Sequence, residues 1–141
     1  MLFRSSWVMT NITTGWAQIF GFGTASANAA TGLAISNGSK WATFQHNTAS
    51  YEDGTPVAYT WTHVAMTQAA SAVYIYINGA QTYSNTGITI TANSGTAYIG
   101  ANFLGSELWN GRIAQLLFYN RAFAPGEILQ HYNSTKGRYG L

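Results

Sequence analysis

The run VYIYINGAQTY, residues 73–83, restricts the fold more than any other stretch of the sequence. Asn78-Gly79 supplies two adjacent residues that tolerate positive φ, as the tightest turns between antiparallel strands require. Side chains alternate along a strand, so Val73, Ile75 and Ile77 share one face while Tyr74 and Tyr76 share the other. Both faces are large and mostly apolar. Such a strand belongs inside a two-sheet sandwich, or has its second face covered by loops, a groove wall or a partner.

Similar runs rich in β-branched and aromatic residues recur about every 8 to 12 residues, separated by Gly, Asn and Ser clusters. Strands are expected near 4–10, 16–22, 31–36, 40–46, 57–68, 72–78, 81–84, 87–91, 96–101 and 112–120. This spacing predicts an all-β antiparallel sandwich or barrel, and nothing in it points to βαβ units. GFG (21–23) reads as a turn at a strand end, and SYEDGTPV (50–57) as a loop. One short helix is predicted in PGEILQHYN. Pro125 suits the first helical position, Glu127 favours the positive end of the helix dipole, and Ile128, Leu129 and Tyr132 form a docking stripe.

The length, 141 residues, suits one domain that buries about two thirds of the surface its unfolded chain exposes. Cysteine is absent, which removes disulfides and thiolate metal sites. Charged residues make up 7% of the chain, against about 25% in a typical soluble domain. The polar surface must therefore come from Asn, Ser, Thr, Gln and Gly. A net charge of +2 is too small and scattered to neutralise a row of phosphates, so nucleic-acid binding is not expected. No segment approaches the roughly 18 apolar residues of a membrane helix. MLFRSSWVMTNITTG lacks the apolar core and cleavage site of a secretory signal, so a soluble chain without membrane insertion is expected. The sequons at Asn11, Asn37 and Asn133 fit chance in a chain rich in Asn and Thr.

Three stretches, read together, carry a family resemblance. TWTHVAMT (60–67) is similar to a Trp-x-His-Val-Ala strand, and VYIYINGAQ to a Leu-Tyr-Ile-Asp-Gly hairpin. YIGANFLGSELWNGRIAQLLFYNRAFAPGEILQHY (98–132) matches a closing pattern of Ile-Gly strand, irregular loop, aromatic before Gly, strand ending Tyr-Asn-Arg-Ala, and short helix. The chain thus resembles the concanavalin A-like lectin/glucanase superfamily, in its laminin G-like and pentraxin-like branch. The resemblance implies a jelly-roll sandwich of two antiparallel sheets over residues 1–133, followed by a basic tail at 134–141. It also implies that Trp61 and His63 pack in the core, His63 with a hydrogen-bonded ring. Members usually carry strands before the segment resembling SSWVMT, so an empty slot is expected beside the last strand. The tail, a neighbouring chain or residues outside this sequence would fill it. The ending KGRYG resembles laminin G-like modules of phage and viral structural proteins.

The chain has four acids, Glu52, Asp53, Glu107 and Glu127, and lacks the Glu-x-Asp-x-x-Glu strand of the glucanase branch. Glycoside hydrolysis normally pairs two carboxylates across the scissile bond, so no enzyme is expected and no cofactor is implied. Calcium is the one metal to consider. It would go to Glu52 and Asp53, the only clustered acids, where a solvated turn is the competing reading. Aromatic rings can stack on sugar faces while Asn, Gln and backbone groups bond the hydroxyls. Trp109 and Trp41 border loops, and with Tyr51, Asn102 and Asn110 they form the candidate ligand set. Lys136, Arg138 and Tyr139, beyond the expected domain boundary, are the candidate partner contacts.

Two functions fit these features. The first is a non-catalytic lectin-like module that binds glycan on a cell or particle surface. The second is a virion structural protein, a capsid-decoration or fibre domain, acting through contacts in a homo-oligomer or larger viral assembly. Either would work on a virion or extracellular surface.

Overall fold

The computed structural model describes residues 3–69, 71–88 and 94–141. The described residues form ten strands: β1 (Phe3–Thr10), β2 (Ala17–Gly23), β3 (Ala30–Ile35), β4 (Trp41–Gln45), β5 (Ala49–Asp53), β6 (Trp61–Ala69), β7 (Ala72–Ile77), β8 (Ala80–Thr86), β9 (Thr96–Ile99) and β10 (Gly111–Tyr119). Helix α1 (Pro125–Thr135) and a 3-10 turn (Lys136–Tyr139) close the chain. The strands form two antiparallel five-stranded sheets, ordered β10-β1-β6-β7-β8 and β5-β4-β3-β2-β9. Of the predicted strands, the one at 87–91 falls largely on residues outside those described. The stretch read as the SYEDGTPV loop instead begins within β5, because Asn47 at φ 54° turns the chain back from β4 into a hairpin. GFG likewise lies within β2 rather than at a turn.

The alternation along β7 is as expected. Val73, Ile75 and Ile77 face the core between the sheets, with Val8, Ile19, Leu33, Ile35, Trp41, Val64 and Met66. Tyr74 and Tyr76 face the opposite way, onto Phe3, Phe123 and Ile128. Asn78 and Gly79 take φ values of 51° and 80° and make the tight turn to β8. A Cβ on Gly79 would lie 2.9 Å from the Tyr132 ring, so the turn needs glycine both for its φ and for the helix docked over it. At the start of α1, Glu127 accepts the Ala124 N–H at 2.8 Å and pairs with Arg121 at 2.7 Å. Ile128 is buried, whereas Leu129, expected in the docking stripe, faces solvent.

The basic tail is not a free arm. Helix α1 runs through the expected boundary at 133/134, and Tyr139 stacks on Trp7 at 4.2 Å and tilts against Trp61 at 5.0 Å. The Trp7 indole donates to Thr135 Oγ1 at 2.9 Å. Trp7 is fully buried on the outer face of the first sheet, and Trp61 is half-buried beneath the tail rather than in the core. Lys136 sits 5.3 Å above the Tyr132 ring, and Arg138 is exposed. The tail therefore covers the outer face of β1 and β6 and does not fill a slot beside the last strand.

That slot is the open side of the sandwich. β10 pairs with β1 on one side, and no described strand pairs with the other. The β5 and β8 edges contact each other, so β9 and β10 are the edge strands at the opposite side of the sandwich. Phe118 of β10 reaches Phe20 of β2 edge-on at 4.9 Å between the sheets, yet is 39% exposed, and Ile99 of β9 is 70% exposed.

His63 departs from its expected environment. The ring is fully buried between Trp7 (5.3 Å), His131 (5.3 Å) and Tyr132 (6.0 Å), and neither ring nitrogen has a hydrogen-bond partner among the described residues. Burial, with a smaller contribution from His131, pushes its pKa down from 6.5 to about 3. The unfolded ring takes up a proton that the folded ring refuses. Its contribution to stability is therefore complete above pH 6.5 and is lost as pH falls toward 3. Urea unfolding at about pH 7.5 and about pH 5 should show a loss approaching about 1.4 kcal/mol per pH unit below that point. The His63→Leu variant should flatten this slope, separating it from carboxylate titration.

Candidate functional site

Strand β3 positions the site. Its large residues Leu33 and Ile35 point into the core, so alternation puts Ala30, Gly32 and Ala34 on the outer face of the second sheet. That face has almost no side chains along its middle strand. The loop from β9 to β10 folds down onto it, and Phe103 packs with Ala30 and Phe44, with Trp16 alongside. A Cβ on Gly21 would lie 2.5 Å from the Phe103 nitrogen, and one on Gly32 would lie 2.6 Å from Gln18 Oε1 and 2.8 Å from the Phe44 ring. Both glycines are needed for close approach.

Between this loop and the β4–β5 turn lies a cavity of about 550 Å3. Its aromatic wall is Trp16, Phe44, Phe103 and His46. Trp16 meets Phe44 edge-on at 5.8 Å, and His46 meets Phe103 edge-on at 4.6 Å. The polar wall includes Gln18, Asn47, Thr48, Ser50, Ser106 and Glu107. Asn102 Oδ1 holds the loop in shape by accepting the N–H groups of Leu104 (2.9 Å) and Ser106 (3.0 Å) and the Ser106 hydroxyl (3.1 Å). Gln18 anchors the loop's far end. Its backbone N–H donates to the Glu107 carbonyl and its Nε2 to Glu107 Oε2, both at 2.9 Å.

The residues singled out from the sequence are divided by the fold. Trp41 and Tyr51 belong to the core between the sheets, 1% and 5% exposed, and do not line the cavity. Trp109 is half-buried and stacks on Trp41 at 6.4 Å, sealing the end of the core. Asn110 accepts from Asn11 at 3.0 Å and does not line the cavity. Asn102 does line it.

Glu52 and Asp53 are neighbours on β5, so their side chains leave opposite faces and do not converge on one ion. Glu52 accepts from Ser36 (2.8 Å) and Ser50 (2.6 Å), and Asp53 from the Gly54 N–H (2.7 Å). No three His, Cys, Asp or Glu residues cluster among the described residues.

Trp16, Gln18, Phe44, His46, Phe103 and Glu107 were not singled out. The available signal was ATGLAI itself, where Ala, Gly and Ala on one face call for something to lie against them.

A family model of the concanavalin A-like lectin/glucanases superfamily matches residues 4–129. The chain belongs to the concanavalin A-like lectin/glucanase superfamily. No curated protein matches it. Among solved structures it is similar to the CBM40 module of the Ruminococcus gnavus IT-sialidase, bound to α2,3-sialyllactose, at TM-score 0.80 and 11% identity. That match covers 93% of this chain and 82% of the module. It is also similar to domain 4 of AbnA, a GH43 extracellular arabinanase from Geobacillus stearothermophilus in complex with arabinotriose, at TM-score 0.70 and 21% identity. Here the match covers 92% of this chain and 65% of the other. Trypanosoma rangeli sialidase matches at TM-score 0.67 and 18% identity over 96% of this chain, which spans 23% of that enzyme. At these identities the likeness shows the superfamily fold, a jelly-roll sandwich.

If Gly21 exists to let the loop lie against β2, a methyl group there must displace it. Gly21→Ala should cost about 1–3 kcal/mol in urea unfolding, as overpacking does. Amide NMR shifts should change mainly over residues 100–110, and a variant with unchanged stability and shifts would contradict this packing.

Proposed function

We propose that this chain is a non-catalytic carbohydrate-binding module that holds glycan in the cavity between the β9–β10 loop and the β4–β5 turn. One observation carries the reading: half-buried Trp16 and the rims of the buried Phe44 and Phe103 rings line one cavity together with the uncharged polar groups of Asn47, Thr48 and Ser50. A sugar offers an apolar ring face edged with hydroxyls, and such a cavity complements both. The sugar-bound modules of similar fold support the reading. Glu107 is the one carboxylate in the described lining, and paired-carboxylate hydrolysis needs a partner about 5–9.5 Å away. The glycan would belong to a cell or particle surface outside the cytoplasm, with the KGRYG ending favouring a phage or viral setting. On a glycan array, Trp16→Ala and Phe103→Ala should each weaken binding about tenfold or more, equivalent to about 1.4 kcal/mol, while thermal unfolding stays cooperative. Binding that survives both substitutions would place the ligand elsewhere.

A second reading, assembly through protein contacts, is favoured by the open side of the sandwich. No described strand pairs with the outer edge of β10, and Phe118 on β10, Ile99 on β9 and Leu108 in the loop between those strands are exposed, the last to 66%. Antiparallel pairing of β10 with a second copy, centred on Gln115, would set Arg112 opposite Phe118 and Gly111 opposite Tyr119. Light scattering after size exclusion should then show a dimer that a Leu117→Pro variant abolishes, because proline removes a ladder donor and blocks edge pairing. A monomer at high micromolar concentration would end this reading.

A further inference from the structure

Glu107, itself exposed to solvent, is held at the cavity at some cost. Its backbone sits at φ 52°, the left-handed region that non-glycine residues avoid. Gln18 grips it twice, through backbone and side chain, and Gln18 is itself buried, with Oε1 lacking any hydrogen-bond partner among the described residues. A buried amide whose oxygen is left unsatisfied while its nitrogen holds a strained glutamate signals that the carboxylate's position matters more than local stability.

The lining around that carboxylate is one-sided in charge. No Lys or Arg lines the cavity among the described residues, and the undescribed ones include no charged side chain. The chain's cations stand elsewhere. Arg4 is buried between the sheets, where it donates to Thr31 and Met66, and Lys40 donates to Thr55. Arg112 lies on β10, Arg121 pairs with Glu127, and Lys136 and Arg138 belong to the tail. His46 is the other titratable side chain in the lining.

We infer that this cavity takes uncharged or amino sugars and excludes sialylated, uronic and sulfated ones, with Glu107 as the residue that sets the sign. The inference rests on the glycan reading of the cavity and adds the substrate class. An ionised carboxylate only accepts hydrogen bonds, so it rewards a ligand that brings O–H or N–H donors. An anionic sugar brings a second carboxylate or sulfate with no cation in the lining to offset the repulsion. Discrimination therefore comes from a repulsive element as much as from an attractive one.

The test is an array and titration series at about pH 8, above the ordinary histidine range. Arabinotriose, lactose, chitosan oligomers and α2,3-sialyllactose serve as probes, together with uronic and sulfated glycans. The wild-type protein should bind at least one neutral or amino member and disfavour every anionic one by about tenfold or more. Glu107→Gln keeps an oxygen for Gln18 to donate to, so the loop anchor survives. That variant loses the charge-assisted acceptor, so it should weaken the neutral or amino ligand, lose less toward its anionic counterpart, and narrow the gap between them to about threefold. Wild-type binding of sialyllactose or a uronic glycan as tight as any neutral one, abolished by Trp16→Ala, would overturn the charge inference while leaving the glycan site standing. So would a Glu107→Gln variant with unchanged selectivity. No saturable binding to any probe would overturn the glycan reading and this inference with it.

Discussion

The contact between the inner faces of the two sheets is the constraint on which everything else depends. Leu33 and Ile35 from β3 meet Met66 and Ile75 from β6 and β7, and all are fully or almost fully buried. Burying a Leu or Ile side chain is worth about 1.5–3 kcal/mol. A strand that slipped by one residue would turn this set outward and expose it. Fixing the register of β3 in this way also decides what its other face carries. The small residues Ala30, Gly32 and Ala34 face out because the large ones must face in, and the cavity exists because a loop can then lie flat against the sheet.

The outer face of the first sheet is handled in the opposite way. There the strands present Trp7, His63 and Tyr76, and a helix and tail are needed to cover them. Tyr132, Thr135 and Tyr139 meet Trp7 by ring stacking and by one hydrogen bond. An unpartnered imidazole lies at the centre of that cover, so the docking of the C-terminal elements depends on His63 staying neutral. The two outer faces thus have different roles. One is sealed by the chain's own end, and the other is partly covered by a loop that leaves an aromatic-lined hollow.

Local pattern made the fold legible. The Asn78-Gly79 turn, the two-faced β7 and the Pro125 helix start are all encoded within a few residues, because turn φ values and side-chain alternation are short-range properties. β5 was hidden because its residues look like a loop, and pairing with β4 overrides weak strand propensity. The site was less legible. Trp41 and Trp109 sit next to loop-like sequence, but adjacency along the chain does not report depth, and the core took one ring while the second stacked on it.

By itself the sequence determined the strand count within a few elements, the sandwich class, the superfamily and the scarcity of charge. The antiparallel strand pattern and the scarcity of charge follow from periodicity, turn chemistry and composition, which involve neighbours in the chain, and the sandwich and superfamily from the resemblance of three stretches to a known family. Only the tertiary structure decided which aromatics are buried, where the tail goes and which acid stands in a cavity. Glu107 is joined to Gln18 across 89 positions, and Trp7 to Thr135 across 128. Contacts of that separation are set by how two sheets close on each other, and no local window of sequence contains both partners.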